Sequence, residues 1–160
     1  MNKIDPALLR NPRHLLALGF GSGLAPYAPG TCGTLLAIPA YLLLVQLPLP
    51  WYLLAVLCAF GIGIYLCGYT SAALGVHDHA AIVWDEFVGF WITMIAVPAS
   101  WQWILAGFVL FRLFDIVKPW PVKIADAKMK GGFGIMFDDV LAAIYALSCM
   151  HIALQLVDTR

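Results

Sequence analysis

The sequence predicts an all-α protein, a multi-pass membrane helical bundle of about five apolar helices with a short N-terminal helix ahead of them. Three observations carry this. The chain is 62% hydrophobic and 11% charged, with mean hydropathy +0.88, where soluble proteins average about 25% charged residues. Apolar stretches run over about 34–47, 51–70, 80–97, 101–117 and 135–156. No Lys or Arg occurs between Arg13 and Arg112. A chain of 160 residues has room for one domain, taken as residues 1–160. A formal net charge of zero removes the electrostatic case for nucleic-acid binding.

In chain order, residues 1–14 are polar with two prolines and lead into a short helix near His14–Leu18. The run after Lys3, Arg10 and Arg13 is too short for the apolar core of a signal peptide, so none is expected. Glycines and prolines from Gly19 to Thr34 argue against a regular element there. Pro29-Gly30-Thr31 reads as a turn and then a helix start, with Thr31 as candidate cap. Pro48-Leu49-Pro50 and Pro98-Ala99-Ser100 are tight, uncharged breaks. Several stretches fall short of the roughly 20 residues a perpendicular span needs. Tryptophans 51, 84, 101, 103 and 120 fall near the expected span ends, as an aromatic belt would. The four cysteines lie singly, with no metal or disulfide spacing.

The neutral breaks set a topology. With the N-terminus inside and one crossing per stretch, both breaks fall outside, and eight of the nine Lys and Arg fall inside, Arg160 being the exception. This satisfies the positive-inside rule, and it brings every candidate catalytic group to one membrane face.

Those groups are acidic. Asp85-Glu86 and Asp138-Asp139 sit among apolar neighbours, and Asp115 lies between Arg112 and Lys118. A carboxylate at a bilayer centre costs roughly 2.5–3.5 kcal/mol, so such residues persist near an interface, beside distant cations, or around a metal ion. Read together they form one site. Adjacent side chains on a helix diverge by about 100°, so Asp85 and Glu86 are not expected to grip one ion as a simple pair. One can bind metal while the other orients water. Gly89, Ala142 and Ala143, one turn further on, are expected to leave room for ions or substrate. All-oxygen ligands suit Mg²⁺, which takes one or two carboxylates plus phosphate. The bland alternative is solvated acids at helix starts.

Arg112, Asp115 and Lys118, spaced by three, line one side of a helix. They suit a phosphate held by the two cations with Asp115 toward the metal; an internal ion-pair ladder is the alternative. The glycine-rich segment, with Ser22, Thr31 and Thr34, can hold phosphate at the following helix start or simply serve close packing. Gly131-Gly132-Phe133-Gly134 is a hinge or a substrate-facing loop. His77-Asp78-His79 is a metal site or an ordinary hydrogen-bonded turn. His14 and His151 read as packing or interface residues. A cysteine phosphatase is excluded by Ile38, where Cys32 needs an arginine, and no DxD nucleophile pair exists. Metal-assisted attack by water remains.

The polar motifs themselves resemble a known family. Gly19-Phe20-Gly21-Ser22-Gly23-Leu24 with Pro29-Gly30-Thr31, Val76-His77-Asp78-His79, Val83-Trp84-Asp85-Glu86-Phe87, Phe111-Arg112-Leu113-Phe114-Asp115 with Lys118-Pro119-Trp120-Pro121, and Gly131-Gly132-Phe133-Gly134-Ile135 with Asp138-Asp139 are similar, in the same order, to phosphatidylglycerophosphatase A. The likeness runs from about residue 12 to 156. It implies an all-helical, Mg²⁺-dependent enzyme of the bacterial inner membrane. That enzyme would hydrolyse phosphatidylglycerophosphate to phosphatidylglycerol and inorganic phosphate. On our own assignment of roles, Asp85, Glu86, Asp115 and Asp139 are catalytic. Asp85, Glu86, Asp138 and Asp139 hold metal, and Ser22, Thr31, Arg112 and Lys118 bind the phospholipid substrate. The active site would face the cytoplasm; oligomeric state is left open.

Two other classes fit less well. An ion path would spread its acids through membrane depth, whereas these cluster at one face. A phosphatidyl-group transferase would carry a spaced Asp-Gly…Ala-Arg…Gly…Asp…Asp signature, which is absent.

Overall fold

In a computed structural model that describes residues 4–158, every regular element among them is helical. The elements are α1 (Pro12–Ala17), α2 (Pro29–Leu44), α3 (Leu49–Leu74), α4 (Trp84–Thr93), α5 (Trp101–Val117), α6 (Val122–Lys128) and α7 (Gly131–Asp158), with 3-10 turns at Pro6–Arg10 and Gly19–Leu24. Local chemistry sets the ends. Asn11 accepts a hydrogen bond from the Arg13 N–H ahead of Pro12, a side-chain cap followed by a proline pre-set for the first turn. At its other end α3 stops on Gly75, which takes the left-handed conformation (φ 67°) that favours glycine.

The all-α expectation holds, but the spans differ from it. Among the described residues, α3 and α7 alone are long and apolar enough to cross a membrane. Both turn much apolar surface outward, Leu57 being 65% and Ile152 59% exposed. The stretch 80–97, read as a span, contains only the ten-residue α4, a rise of about 15 Å against a hydrocarbon core of about 30 Å. Its flanks are turns. α6 lies where no helix was expected, and α2 begins at Pro29 with Ala28, not Thr31, as its cap residue.

α4 is the centre of the molecule. Eight of its ten residues are buried, and α2, α3, α5 and α7 all pack against it. Phe87, Phe90 and Phe111 are fully enclosed with Tyr41, Met94, Met136 and Met150, and close van der Waals packing of these large side chains holds the helices together, since lipid tails are as apolar as the core. The polar atoms in this core are directed. Trp91 Nε1–H donates to the Ala37 carbonyl at 3.1 Å, and Tyr52 O–H to the Trp91 carbonyl at 2.6 Å. Trp84 stacks on Phe87 with ring centroids 5.7 Å apart and donates to Ala59; it belongs to the core and not to an aromatic belt. Trp51, Trp101 and Trp120 are exposed, and Trp103 is half-buried.

The glycine-rich segment is a packing surface. A Cβ on Gly33 would meet Val83 Cβ at 2.6 Å, and the Val83 N–H donates to the Ala17 carbonyl at 2.9 Å. This close approach fixes the chain just before Asp85. Likewise Gly131-Gly132-Phe133-Gly134 is no loop but the first turn of α7, where Gly132 lies against the α3 backbone at Ile64 and Gly68. At the far end of the bundle the segments that lead into the two neutral breaks come together. Val45, Leu47 and Leu49 face Met94, Ala96 and Val97 across a cavity of about 160 Å³.

Candidate active site

The opposite end holds the charge. Asp85 and Glu86 occupy the first turn of α4, where the helix dipole favours anions. α7 brings Asp138 and Asp139 beside them, α5 brings Arg112 and Asp115, and Lys118 follows at the α5 C-cap. With Asp78, Ala80 and Ile82, and with Ala28, Pro29 and Gly30 at the α2 start, these residues line a cavity of about 260 Å³. At about 30 Å³ per water in the liquid, it can take a hydrated divalent ion together with a phosphate group. Ala28, Asp78 and Lys118 have positive φ, at 45°, 51° and 45°. Such non-glycine backbone costs of order 1–3 kcal/mol per residue and clusters at functional sites.

Two acidic groups meet in this cavity and differ in their partners. In the first, Asp85, Glu86 and Asp139 each offer an oxygen within 4.8 Å of the others. The expected divergence of Asp85 and Glu86 is thus overcome; Glu86, one methylene longer, reaches round to the same point. Asp85 Oδ1, Glu86 Oε2 and Asp139 Oδ2 are buried without a hydrogen-bond partner among the described residues. The nearest cation is Arg112, whose Nη1 lies 3.6 Å from Glu86 Oε1 but 2.6 Å from Asp115 Oδ2. Desolvating a carboxylate costs several kcal/mol unless a cation answers it. Three of them around one point fit a hard divalent ion such as Mg²⁺.

In the second group, Asp78, Asp126 and Asp138 lie equally close together, and a lysine answers them. Lys118 Nζ donates to Asp126 Oδ1 at 2.8 Å and to Asp138 Oδ2 at 2.7 Å. Burial pulls the Lys118 ammonium down, but those two hydrogen bonds and the charges behind them prevail and hold it above the usual lysine range. The internal ion-pair ladder along α5, the alternative to a phosphate held by both cations, is therefore only half formed. Arg112 pairs with Asp115, while Lys118 leaves the helix and turns to α6 and α7.

Asp85, Glu86, Asp115, Asp138, Asp139, Arg112 and Lys118 thus come together around one cavity. Ser22 and Thr31 do not line it. The Ser22 hydroxyl donates to the Gly19 carbonyl at 2.8 Å, and the α2 start reaches the cavity through Ala28, Pro29 and Gly30 instead. Thr34 likewise donates to Gly30 O within its own helix. Gly89 leaves no room for ions, because the Phe111 ring would lie 2.5 Å from a Cβ there, and Ala142 and Ala143 are fully buried in the core. In the His77-Asp78-His79 turn both imidazoles accept backbone hydrogen bonds, His77 from Gly131 N–H and His79 from Ala81 N–H; Asp78 alone lines the cavity. Asp126 was missed. Its signal was its distance of eight residues from Lys118, in a segment outside every apolar stretch.

The cavity lining carries six carboxylates (Asp78, Asp85, Glu86, Asp115, Asp138, Asp139) against two cations (Arg112, Lys118), a formal excess of four negative charges when all are ionised. Such a cavity repels a phosphate unless further cations enter with it.

Relatives of the chain fix its family. The family model for phosphatidylglycerophosphatase A matches residues 15–154, a range that spans the whole carboxylate set. The chain belongs to the phosphatidylglycerophosphatase A family. Its relatives include a phosphatidylglycerophosphatase A of Escherichia coli (strain K12), 51% identical over 144 residues, covering 89% of this chain and 84% of that one. Another, of Haemophilus influenzae, is 55% identical over 148 residues and 91% of each chain. A third relative, from Bacteroides thetaiotaomicron, is 43% identical over 147 residues, covering 87% of this chain and 91% of that one, and carries the provisional name phosphatidylinositol-3-phosphatase. All three carry the name of a phosphatase. No solved structure matches the chain.

Proposed function

We propose that the protein is a Mg²⁺-dependent lipid phosphatase that hydrolyses phosphatidylglycerophosphate to phosphatidylglycerol and inorganic phosphate. Family membership supports the substrate. The observation that supports the metal is the trio of buried, unpartnered oxygens on Asp85, Glu86 and Asp139, in a cavity whose lining sets six carboxylates against two cations.

In this reading Asp85, Glu86 and Asp139 hold the ion, whose chemistry is to polarise the phosphoryl group and to lower the pKa of a bound water. Arg112 and the N-terminus of α2 receive the phosphate. The start of that helix has no side-chain cap, so its first N–H groups remain available to an anion. Gly30 keeps the wall thin, since a Cβ there would strike Glu86 Oε1 and come within 3.0 Å of the Arg112 guanidinium. Asp115 orients Arg112 through their 2.6 Å ion pair. Lys118 contributes fixed positive charge at the opposite wall.

The proposal includes a bacterial inner-membrane location with the cavity at the cytoplasmic face. α3 and α7 supply two crossings by length and composition, and the shorter helices α2, α4 and α5 complete the bundle between them. Charge supports the orientation. Among the described residues every Lys and Arg lies in 10–13 or 112–130, while the segments that lead into the neutral breaks meet at the other end. Cysteines placed singly at Leu49 and Ala99 are expected to label from outside, and one at Ala80 is not; the reverse pattern refutes the orientation. The activity itself is tested by phosphate release from phosphatidylglycerophosphate, with phosphatidylinositol 3-phosphate as competitor substrate, in Mg²⁺ and in excess chelator. Turnover undiminished in chelator would remove the metal from the account. Preference for the inositol lipid would replace the substrate.

A further inference from the structure

The two acidic groups share the α7 dipeptide Asp138-Asp139 but are neutralised differently. Asp139 faces the unpartnered group, whereas Asp138 Oδ2 is taken by Lys118 Nζ at 2.7 Å, and Asp126 Oδ1 takes the same ammonium at 2.8 Å. A lysine ammonium has three donors and no acceptor. Two are accounted for here, which leaves one for a ligand in the cavity that Lys118 lines. The flexible lysine stem would otherwise let the charge wander. Two carboxylates from different helices, one 5% and one 37% exposed at the side chain, fix it instead.

We propose that Asp126 is a positioning residue for the reaction. Together with Asp138 it holds the Lys118 ammonium as a fixed cation at the cavity wall, within a group of acids that could otherwise hold a second divalent ion. The inference rests on the phosphatase reading above. It assigns a role to an α6 residue that touches neither substrate nor the first carboxylate group, and it gives the site one divalent ion and one lysine. Sites with two metal ions hold them about 3.5–4 Å apart to clamp both the attacking and the leaving oxygen. Here the third donor of Lys118 is left to meet a phosphate oxygen, so its removal weakens substrate binding more than turnover.

The test combines kinetics with metal counting on the detergent-purified full chain. Wild type, Asp126→Asn, Asp126→Glu, Lys118→Ala and the Asp126→Asn/Lys118→Ala double variant are assayed for phosphate release from phosphatidylglycerophosphate. Asp126→Asn should raise KM about fivefold with kcat changed less than about twofold, Lys118→Ala should raise KM about tenfold, and Asp126→Glu should recover part of the loss. The double variant should match Lys118→Ala alone, since Asp126 acts only through the lysine. Equal, additive losses from the two substitutions would overturn the proposal, and so would an Asp126→Asn KM equal to wild type. Mn²⁺ binding to the wild-type protein, followed by electron paramagnetic resonance, should saturate at one ion. Saturation at two, with one site lost in Asp126→Asn, would make the second acidic group a metal site and contradict the lysine's role. A wild type that releases no phosphate from the lipid refutes the phosphatase reading, while the metal count still decides what fills the second group.

Discussion

The two ends of α4 solve the same problem differently. At its C-terminal end nearly every buried polar group has a protein partner. Thr93 donates to Gly89 O, Tyr52 to Trp91 O, and His151 Nε2 to Ile95 O at 3.0 Å. Among the described residues one neutral hydroxyl there, Tyr41 O–H, lacks a partner, a cost of about 1–3 kcal/mol. At the N-terminal end, ten residues away, four carboxylates are buried, and on three of them (Asp85, Glu86 and Asp139) an oxygen has no partner among the described residues. The fold can satisfy buried polar atoms around this helix, and at one end it does. On the proposed reading, the orphaned carboxylates at the other end are where the ion binds.

The largest effects should come from substitutions that remove charge from the orphaned end. Asp85→Asn and Asp139→Asn keep the shape and should lower turnover by about a thousandfold, the scale of losing a metal that generates the nucleophile. Thermal unfolding in detergent should leave both variants at least as stable as wild type, because a buried repulsion has been relieved. Destabilised, inactive variants would mean that the carboxylates hold the fold and not an ion. Next comes Gly30→Ala, which puts a methyl group against Glu86 and Arg112; we expect a loss of about tenfold or more in kcat/KM with little change in unfolding temperature. At the neutral end Tyr52→Phe should cost about 1 kcal/mol of stability, the net worth of its hydrogen bond to Trp91 O, and leave turnover alone. Smallest of all, Ser22→Ala should change kcat/KM less than about twofold, since its hydroxyl bonds within its own turn. A tenfold loss there would return the glycine-rich segment to the site.

What was legible in the sequence follows from cost. Charges in a chain this apolar are expensive to keep, so Asp85, Glu86, Arg112, Asp115, Lys118, Asp138 and Asp139 stand out unaided, and the structure brings all seven to one cavity. The acidic pair's convergence was not legible, because helix geometry fixes where a side chain starts and not where a longer one ends. Spacing placed Gly89 on the right face, yet spacing is silent about what lies opposite, and there it is Phe111. α6 escaped because its seven residues, with two lysines and an aspartate, lie outside every apolar stretch. Its importance comes only from Asp126 meeting a lysine across a turn. The ten-residue α4 was hidden in a longer apolar run, since hydropathy cannot see where turns at 94–96 end a helix.

The central claim is that Asp85, Glu86 and Asp139 hold a divalent ion for phosphate release. It is tested most directly by the Mg²⁺ dependence of phosphate release from phosphatidylglycerophosphate for wild type against Asp139→Asn. Wild-type activity should rise with Mg²⁺ and vanish in chelator, and the activation constant should be raised at least about tenfold in Asp139→Asn, the usual scale when a metal site is weakened. An unchanged activation constant with wild-type turnover in Asp139→Asn would contradict it.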